Sequence, residues 1–591
     1  MCGITGFIDK KNKLKGAAKK KIISKMLKAI DHRGGDGRGI YVDGALAMAH
    51  ARLSIVDLSN NATQPMKSRS GNTILSFNGE IYNHREIRNT ELRDYQFQST
   101  SDTETLLYGF EKLGEKIINR LRGMFAFSFF DRVNNKVFLA IDHCGIKPLY
   151  YLSNDDWFAW SSEIKGLLVL PNLNTKLNKP LLGEYLLFRS NAGDETLFRG
   201  IKKMLPEQQL TVDLNNFKER LSICRRPSHP SFNPSLRVEQ LTVLLEQSVK
   251  EHLMADVPLG LQLSGGIDSS LIAALVRKNL GMTELLHSFS IGLSDSSWNE
   301  FIYSRIVKEK LGTVHHEIIF TEKDFCLALP EAIYHYDQPI NHSHSIPMML
   351  LAREARKHVK ILLSGEGADE VFGGYLRYQQ FAERRNRVDK NIIFSNAFEE
   401  LARVKKLLKK DNLDLSWRHA IVDEVRHKSF SYRLGWYDFK TYLTPMLLRQ
   451  DTMGMASSLE NRVPFLDQRL VAFGLNLKLS EKISAGETKF ILKKAAEAFL
   501  PKEIVFRKKI GFSQPLSFWL KNPNGLGRYL KLFSRKNFRR DFLCYEEVEG
   551  LISNHLANRA DNGNILWELI NLELWLRIFI DQESYQSFLF L

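Results

Sequence analysis

Near residue 235 the hydrophobic pattern of this 591-residue chain changes its period, and that change restricts the folds open to it. Upstream, short β-like runs alternate with glycine and asparagine turns: NTILSFNGE, GMFAFSFFDRVNNKVFLAIDH, DWFAWSSE and QQLTVDL. Only KKKIISKMLKAI and TETLLYGFEKL read there as clear helices. Downstream, strands alternate with amphipathic helices, as in a parallel α/β sheet. A chain of this length exceeds one ordinary core. The expected organisation is a β-rich domain over 1–213, a polar connector with three prolines over 214–234, and an α/β domain over 235–591.

With 44% hydrophobic and 25% charged residues the chain reads as globular. Its five cysteines (Cys2, Cys144, Cys224, Cys326 and Cys544) show no CxxC spacing, so reduced thiols in a cytoplasmic protein are expected rather than disulfides or zinc. No secretory signal opens the chain, and no uncharged apolar run of about 18 residues would span a membrane. The closest, LWELINLELWLRIFIDQESYQSFLFL, carries acids and an arginine and is expected to be a buried helix. A formal charge of +16 raises nucleic acid as a partner. The lysine runs KKNKLKGAAKKK and RVKKLLKK lack an RNA-binding aromatic signature or zinc-finger spacing, so neither nucleic acid nor membrane is expected. Attraction of an anionic substrate such as ATP accounts for the charge more simply.

The chain opens MCGITGF. Trimming Met1 would leave Cys2 with a thiol and a free α-amine, and such an amine titrates near roughly 7.7–8.0. That is a nucleophile with its own base. Attack on an amide builds an oxyanion that needs fixed donors. In LSFNGEIYN, the Asn78 side-chain amide and the Gly79 N–H are candidates. Arg52 in AHARLSIVD could hold an amino-acid carboxylate and Asp102 in TSDTE its ammonium group. SDTE also reads as a helix N-cap.

MCGITGF, HRGGDG, RLSIVDLS, FNGEIYNH and SDTE, in this order, resemble the class II glutamine amidotransferase domain. The resemblance implies an N-terminal-nucleophile (Ntn) hydrolase αββα sandwich, with Cys2 as nucleophile, its amine as base, and Asn78 with Gly79 as oxyanion hole. Arg52, Leu53, Ser54, Ile55, Val56, Asn78, Gly79, Glu80 and Asp102 would hold glutamine. Gly35 stands where that family usually has proline, which loosens a loop but removes no functional group.

PLGLQLSGGIDSSLIAALV reads as strand, glycine loop and helix. Gly265 and Gly266 let backbone N–H groups approach an anion, Ser264, Ser269 and Ser270 add hydroxyls, and the helix directs its positive end there. The Walker pattern GxxxxGK[ST] is absent from the sequence. VKILLSGEGADEVFGGY repeats the apolar-run-to-turn pattern, so both loops are expected at one pocket. There Asp268 and Asp369 suit Mg²⁺, and Glu366 reads as a base or a salt-bridged acid.

SGGIDSS resembles the pyrophosphatase loop of enzymes that cleave ATP to AMP and pyrophosphate. With SFSIGL, LGTVHHE, LLSGEGADEVFGGY, SLENRVPFLD and GETKFILKK, nearly the whole chain resembles glutamine-hydrolysing asparagine synthetases. By position, Leu263 and Ile291 would flank adenine, and Ser264, Gly265, Gly266, Asp268, Ser269, Ser270, Ser364 and Gly365 would line the ATP site. Glu366 matches the acid supporting the acyl-adenylate, and Lys489 the lysine stabilising charge at phosphorus. The implied activity is a carbon–nitrogen ligase with two catalytic domains, an internal ammonia tunnel and the family's frequent homodimer.

The acceptor region, HYDQPINHSHSIP, departs from its relatives. Gln338 replaces an acid, and Asn341, His342 and His344 follow. Aspartate-to-asparagine conversion is the first expectation. The same scaffold amidating another carboxylate, a uronic acid of a surface polysaccharide or a peptide side chain, is the second. A non-enzymatic basic binding protein has the joint presence of Cys2, SGGIDSS, Glu366 and Lys489 against it. The pair His315–His316 lacks HExxH spacing and is not expected to hold metal.

Overall fold

The computed structural model describes residues 2–173, 175–224, 233–295, 299–383, 392–409, 413–508 and 514–589. The alternating upstream runs pair into two antiparallel six-stranded sheets. The first has the order Ile201–Lys203, Tyr150–Ser153, Trp157–Ser161, Gly3–Asp9, Leu46–Arg52, Gly37–Asp43. The second runs Glu219–Ile223, Gln208–Asp213, Lys136–Ile141, Gly123–Asp131, Thr73–Ile81, Met66–Lys67.

Their facing sides bury Ile4, Ile8, Met48, Ile74, Phe130, Leu139 and Trp160 in one cluster. On the outer face of the first sheet, Ile23, Met26 and Leu27 of helix Gly16–Ala29 cover Phe7 and Ala49. On the outer face of the second, Leu106, Leu107 and Phe110 of helix Asp102–Leu113 cover Phe77, Phe127 and Phe129. Because both faces of each sheet are covered, these strands read as near-continuous apolar runs. The result is an αββα sandwich, with Cys2 at the head of an interior strand.

One reading is corrected here. The stretch 214–234, expected as a connector, contains the strand Glu219–Ile223, which pairs with Gln208–Asp213 and extends the second sheet. This short edge strand has no buried residue, and even Leu221 and Ile223 are exposed, so ERLSI lacks the long apolar run that marked its neighbours. Positions 225–232 of that connector lie outside the described residues.

The downstream half is built on a parallel five-stranded sheet with the order Val314–Phe320, His287–Leu293, Leu259–Gln262, Ile361–Leu363, Glu460–Arg462. The chain begins in the centre, adds two strands on one side, then returns to add two on the other. The strand order therefore reverses between Leu259–Gln262 and Ile361–Leu363, where parallel sheets open a ligand crevice. Both glycine loops leave the sheet at that point. The aromatic C-terminal segment is the buried helix Gly563–Trp575, as its internal acids suggested: Glu568 binds Arg189 at 2.6 Å. Among the described residues no helix is long and apolar enough to cross a membrane.

The halves share packing. Leu53, Ile55 and Met124 of the sandwich lie in one apolar cluster with Leu261, Leu263 and Ile361 of the parallel sheet. Phe127, fully buried between the second sheet and its helix, tests the sandwich itself. Phe127→Ala should lower unfolding free energy by about 3–5 kcal/mol, read from the denaturant midpoint.

Candidate active site

Cys2 is buried at the start of strand Gly3–Asp9. Its backbone nitrogen donates to Asn78 Oδ1 at 2.9 Å, and its thiol points at the Leu53 carbonyl, 3.9 Å away. Burial pushes the thiol pKa up, so the resting group is the protonated thiol. Asn78 sits in the interior strand Thr73–Ile81 with its Nδ2 buried and without a hydrogen-bond partner among the described residues. A buried donor left unpaired costs free energy, and here it belongs to the side chain that holds the Cys2 nitrogen. Gly79 follows in the same strand, paired with Phe125.

Glu80 and Asp102 converge on the end of that strand. Asp102 Oδ2 accepts the Ile81 N–H at 2.8 Å, and burial raises its pKa to about 6. Burial, then Glu460 and Asp102, push the Glu80 pKa up as well. Ser101 caps the following helix by accepting the Thr103 N–H at 3.0 Å, so SDTE serves as the cap it resembled. Arg52 donates to the carbonyls of Asp57 and Ser59, closing its own loop. In that loop Ser54 N–H donates to Asp36 Oδ2 at 2.8 Å, Ile55 O accepts from Asp256 N–H at 2.9 Å, and Val56 packs at the apolar seam between the halves.

The second cluster forms at the strand-order reversal. A Cβ built on Gly365 would lie 2.7 Å from Ser269 N and 2.8 Å from Asp268 Cβ, so glycine lets the two loops touch. Ser264 Oγ lies 3.0 Å from Ser269 Oγ and accepts the Gly266 N–H at 3.2 Å. Gly265 has φ +71. Ser270 Oγ is buried with no partner among the described residues. The Leu263 N–H donates to Phe289 O at 2.9 Å, and Ile291 stands on the neighbouring strand.

Lys489 bridges the two loops. Its ammonium lies 2.6 Å from Asp268 Oδ2 and 2.6 Å from Asp369 Oδ1. Burial works against that charge, but the two carboxylates overcome it and hold the pKa above the ordinary lysine value. Lys489 takes a left-handed φ of 54 before helix Phe490–Ala496, and a Cβ on Gly374 would collide with its Cε at 2.1 Å. Two carboxylates aimed at one point are also the donor set a hard divalent cation requires. Glu366 is half-buried and accepts from Arg449 Nη2 at 3.0 Å, so it is ion-paired in this state.

Sequence reasoning missed the residues joining the two clusters. Helix Thr444–Met455 continues a π-helical turn, Phe439–Leu443, and carries three successive contacts. Arg449 binds Glu366, and Gln450 Nε2 donates to Ser364 Oγ at 2.9 Å. Asp451 accepts from Arg33 at 2.7 Å. Fully buried Arg33 also donates to Glu163 at 2.9 Å and to the Cys2 carbonyl at 3.1 Å. Lys147 Nζ lies 3.4 Å from Asp451 Oδ1. HRGGDG is therefore the segment that docks the sandwich on the second half. A Cβ at Gly35 would meet open space, in keeping with a departure that removes nothing.

A second buried junction involves SLENRVPFLD: Arg462 binds Glu460 at 2.6 Å and lies 3.7 Å from Glu80 Oε2. Arg507 was also missed. It pairs with Glu300 at 2.7 Å, and Nη2 lies 3.4 Å from a Cβ built on Gly266. The basic run FRKKIGF gave no sign of this position.

Each half of the chain matches a known family model. The asparagine synthase family model matches residues 240–577, and the glutamine amidotransferase domain model matches residues 1–221. The chain belongs to the asparagine synthase family. It is 31% identical to a Bacillus subtilis protein described as asparagine synthetase (glutamine-hydrolyzing) 1, over 98% of this chain and 97% of that one. It is 31% identical to asparagine synthetase B (glutamine-hydrolyzing) of Escherichia coli, over 88% of this chain and 83% of that one. An Arabidopsis thaliana asparagine synthetase (glutamine-hydrolyzing) 1 is 30% identical, over 88% and 79%. As a member of this family the chain is a glutamine-hydrolysing amidotransferase and carbon–nitrogen ligase.

The join between the halves is testable through Asp451, which is 1% exposed. Asp451→Ala leaves Arg33 and Lys147 buried without their shared counter-charge, and removing one partner of a buried pair costs about 3–5 kcal/mol. A drop of that size in equilibrium unfolding is expected; a change inside measurement error would show that the pair contributes nothing.

Proposed function

We propose that the chain converts aspartate to asparagine, hydrolysing glutamine at Cys2 and consuming the ammonia at an ATP-derived acyl-adenylate beside Glu366 and Lys489. The carrying observation is helix Thr444–Met455, whose successive residues touch Glu366, Ser364 and, through Arg33, Cys2.

In this reading, removal of Met1 turns the Cys2 nitrogen into a free amine already oriented by Asn78 Oδ1. That amine takes the thiol proton as sulfur attacks the glutamine amide. The spare Nδ2 of Asn78 and the Gly79 N–H receive the oxyanion. Asp102, with Glu80, holds the substrate ammonium, and Arg52 exchanges a loop carbonyl for its carboxylate. Ammonia leaves with the amine's proton, and water releases glutamate from the thioester.

At the second cluster, the aspartate carboxylate attacks the α-phosphorus of ATP and pyrophosphate departs. The SGGIDSS backbone, Ser264, Ser269, Ser270, Ser364 and Gly365 bind phosphate oxygens, with adenine between Leu263 and Ile291. Arg507 is positioned to add charge. Mg²⁺, held by Asp268 and Asp369, would neutralise the pyrophosphate oxygens. Lys489 carries positive charge beside the same oxygens. Ammonia then attacks the acyl carbon, AMP leaves, and Glu366 accepts the surplus proton. The apolar seam of Leu53, Ile55, Met124 and Leu263 gives ammonia a dry route, which protects both it and the adenylate.

The acceptor segment supports a second reading. Gln338 donates to Tyr150 Oη at 3.3 Å and lines a crevice with Arg189 and Lys203. Asn341 is buried with both amide atoms unpartnered among the described residues. Burial lowers the pKa values of His342 and His344, and Arg449 adds to it. Neutral imidazoles and a spare amide replace the acidic pattern, which favours an acceptor other than aspartate, a uronic acid or peptide carboxylate.

Purified protein given glutamine, ATP, Mg²⁺ and aspartate should yield asparagine, glutamate, AMP and pyrophosphate in equal amounts. Glutamate without asparagine would move the assignment to the other acceptors. Cys2→Ala should abolish glutamine-driven synthesis while sparing synthesis from added ammonia. Because Asp102 is raised to about 6, it loses its charge as pH falls through that value. The KM for glutamine should therefore climb below about pH 6 in the wild type, and Asp102→Asn should show a high KM with that climb removed.

A further inference from the structure

Three imidazoles from separate stretches of chain meet at the end of the parallel sheet opposite the glycine loops. His287 opens strand His287–Leu293, and His316 lies on the edge strand Val314–Phe320. Their register pairs Phe289 with His316 and Ser288 with His315. Side chains alternate between faces, so His287, Phe289 and His316 share one face while His315 takes the other. There His315 Nδ1 lies 2.8 Å from Ser288 Oγ. His358 stands in the turn after helix Ser345–Ala355, fixed by its N–H to Ala355 O at 2.9 Å.

His287 Nδ1 and His316 Nε2 are 2.9 Å apart, and one nitrogen from each of the three rings falls within 4.8 Å of the others. The His316 and His358 ring centres are 4.3 Å apart. Phe289 forms the floor, lying 4.7 Å from the His316 ring and nearly parallel to it. Two imidazole nitrogens at hydrogen-bond distance share one proton, so at least one ring presents a lone pair. Burial and the neighbouring imidazoles lower the pKa values of His287 and His316, which favours the neutral, ligating form. Glu354, the carboxylate that acts on His316, is paired with Lys357 at 2.6 Å.

We propose that His287, His316 and His358 form a binding site for one divalent transition-metal cation of the zinc class, its fourth position open to water. Three imidazoles select borderline cations such as Zn²⁺ or Ni²⁺ and reject Mg²⁺, which takes oxygen. Metal–nitrogen bonds of about 2.0–2.1 Å in tetrahedral array place neighbouring nitrogens about 3.3 Å apart. The His287–His316 pair then opens slightly and exposed His358 closes in. Ile291, farther along His287–Leu293, and Leu263, just after the adjacent strand Leu259–Gln262, lie toward the opposite end of the sheet, so the cation takes no part in amide transfer. It ties the edge strand, its neighbour and the turn after the helix together. HHE carries no metal motif because its partners lie in other stretches of the chain.

The test titrates the full chain with Ni²⁺, and separately with Zn²⁺, by calorimetry in buffer containing Mg²⁺. Wild type, His358→Ala and His316→Gln are compared, with circular dichroism and a cooperative thermal transition confirming that each variant is folded. One equivalent should bind the wild type, at least about tenfold more weakly in His358→Ala and not at this site in His316→Gln. Each cation should raise the Tm of the wild type and leave that of His316→Gln unmoved. Wild-type protein that takes up neither cation overturns the proposal. So do variants that bind as the wild type does, since thiols or carboxylates elsewhere are then the ligands. If His316→Gln fails to fold, His358→Ala, altered only on an exposed turn, decides alone.

Discussion

The contact on which the molecule turns is the buried pair Arg33–Asp451, 2.7 Å long and sealed from water on both sides. Burial penalises the guanidinium, and Asp451 and Glu163 overcome that penalty. A charge so placed tolerates little displacement, because losing a partner strands the other in a medium that cannot solvate it. The arginine also reaches the Cys2 carbonyl within its own half, so Asp451 of the other half acts through Arg33 on the strand that begins at Cys2. On a helix, consecutive side chains diverge by about 100°. Arg449, Gln450 and Asp451 can therefore address three neighbours at once, and one helix is tied to both candidate clusters.

Glu80, Arg462 and Glu460 repeat this arrangement with different elements. Burial raises the Glu460 pKa, but Arg462 outweighs it and lowers the value to about 2. Such buried networks add little net stability compared with apolar packing of equal volume. Their geometry is their use, since hydrogen-bond direction restricts rotation in a way that leucine against leucine does not. The apolar seam between the halves supplies cohesion, and the two ion networks supply registration.

What the sequence revealed follows from this division. Both glycine loops were legible because backbone approach to an anion demands residues that advertise themselves, as Gly365 does where it touches Ser269. The sandwich was legible because strands covered on both faces form long apolar runs, as in GMFAFSFFD. Strand Glu219–Ile223 was not, since its outer edge faces water. Arg449, Gln450 and Asp451 sit in TPMLLRQDTMGM, where buried polar residues look like the exposed stripe of an ordinary amphipathic helix. Only the tertiary structure shows that every side of that helix is covered. His287 and His358 gave no signal for the same reason: their meeting depends on strand register and a distant turn.

Lys489 has one more implication. Held between Asp268 and Asp369, its ammonium is a tethered counter-ion that fills the spot a free cation would seek. A bare metal ion must displace a rival that cannot diffuse away, and gains only the same two carboxylates in exchange. A metal arriving already wrapped in polyphosphate brings its own anions, to which the lysine can turn. In the proposed reading the order of arrival is written into that side chain: a metal carried in by the nucleotide would be admitted where the bare ion would be turned away.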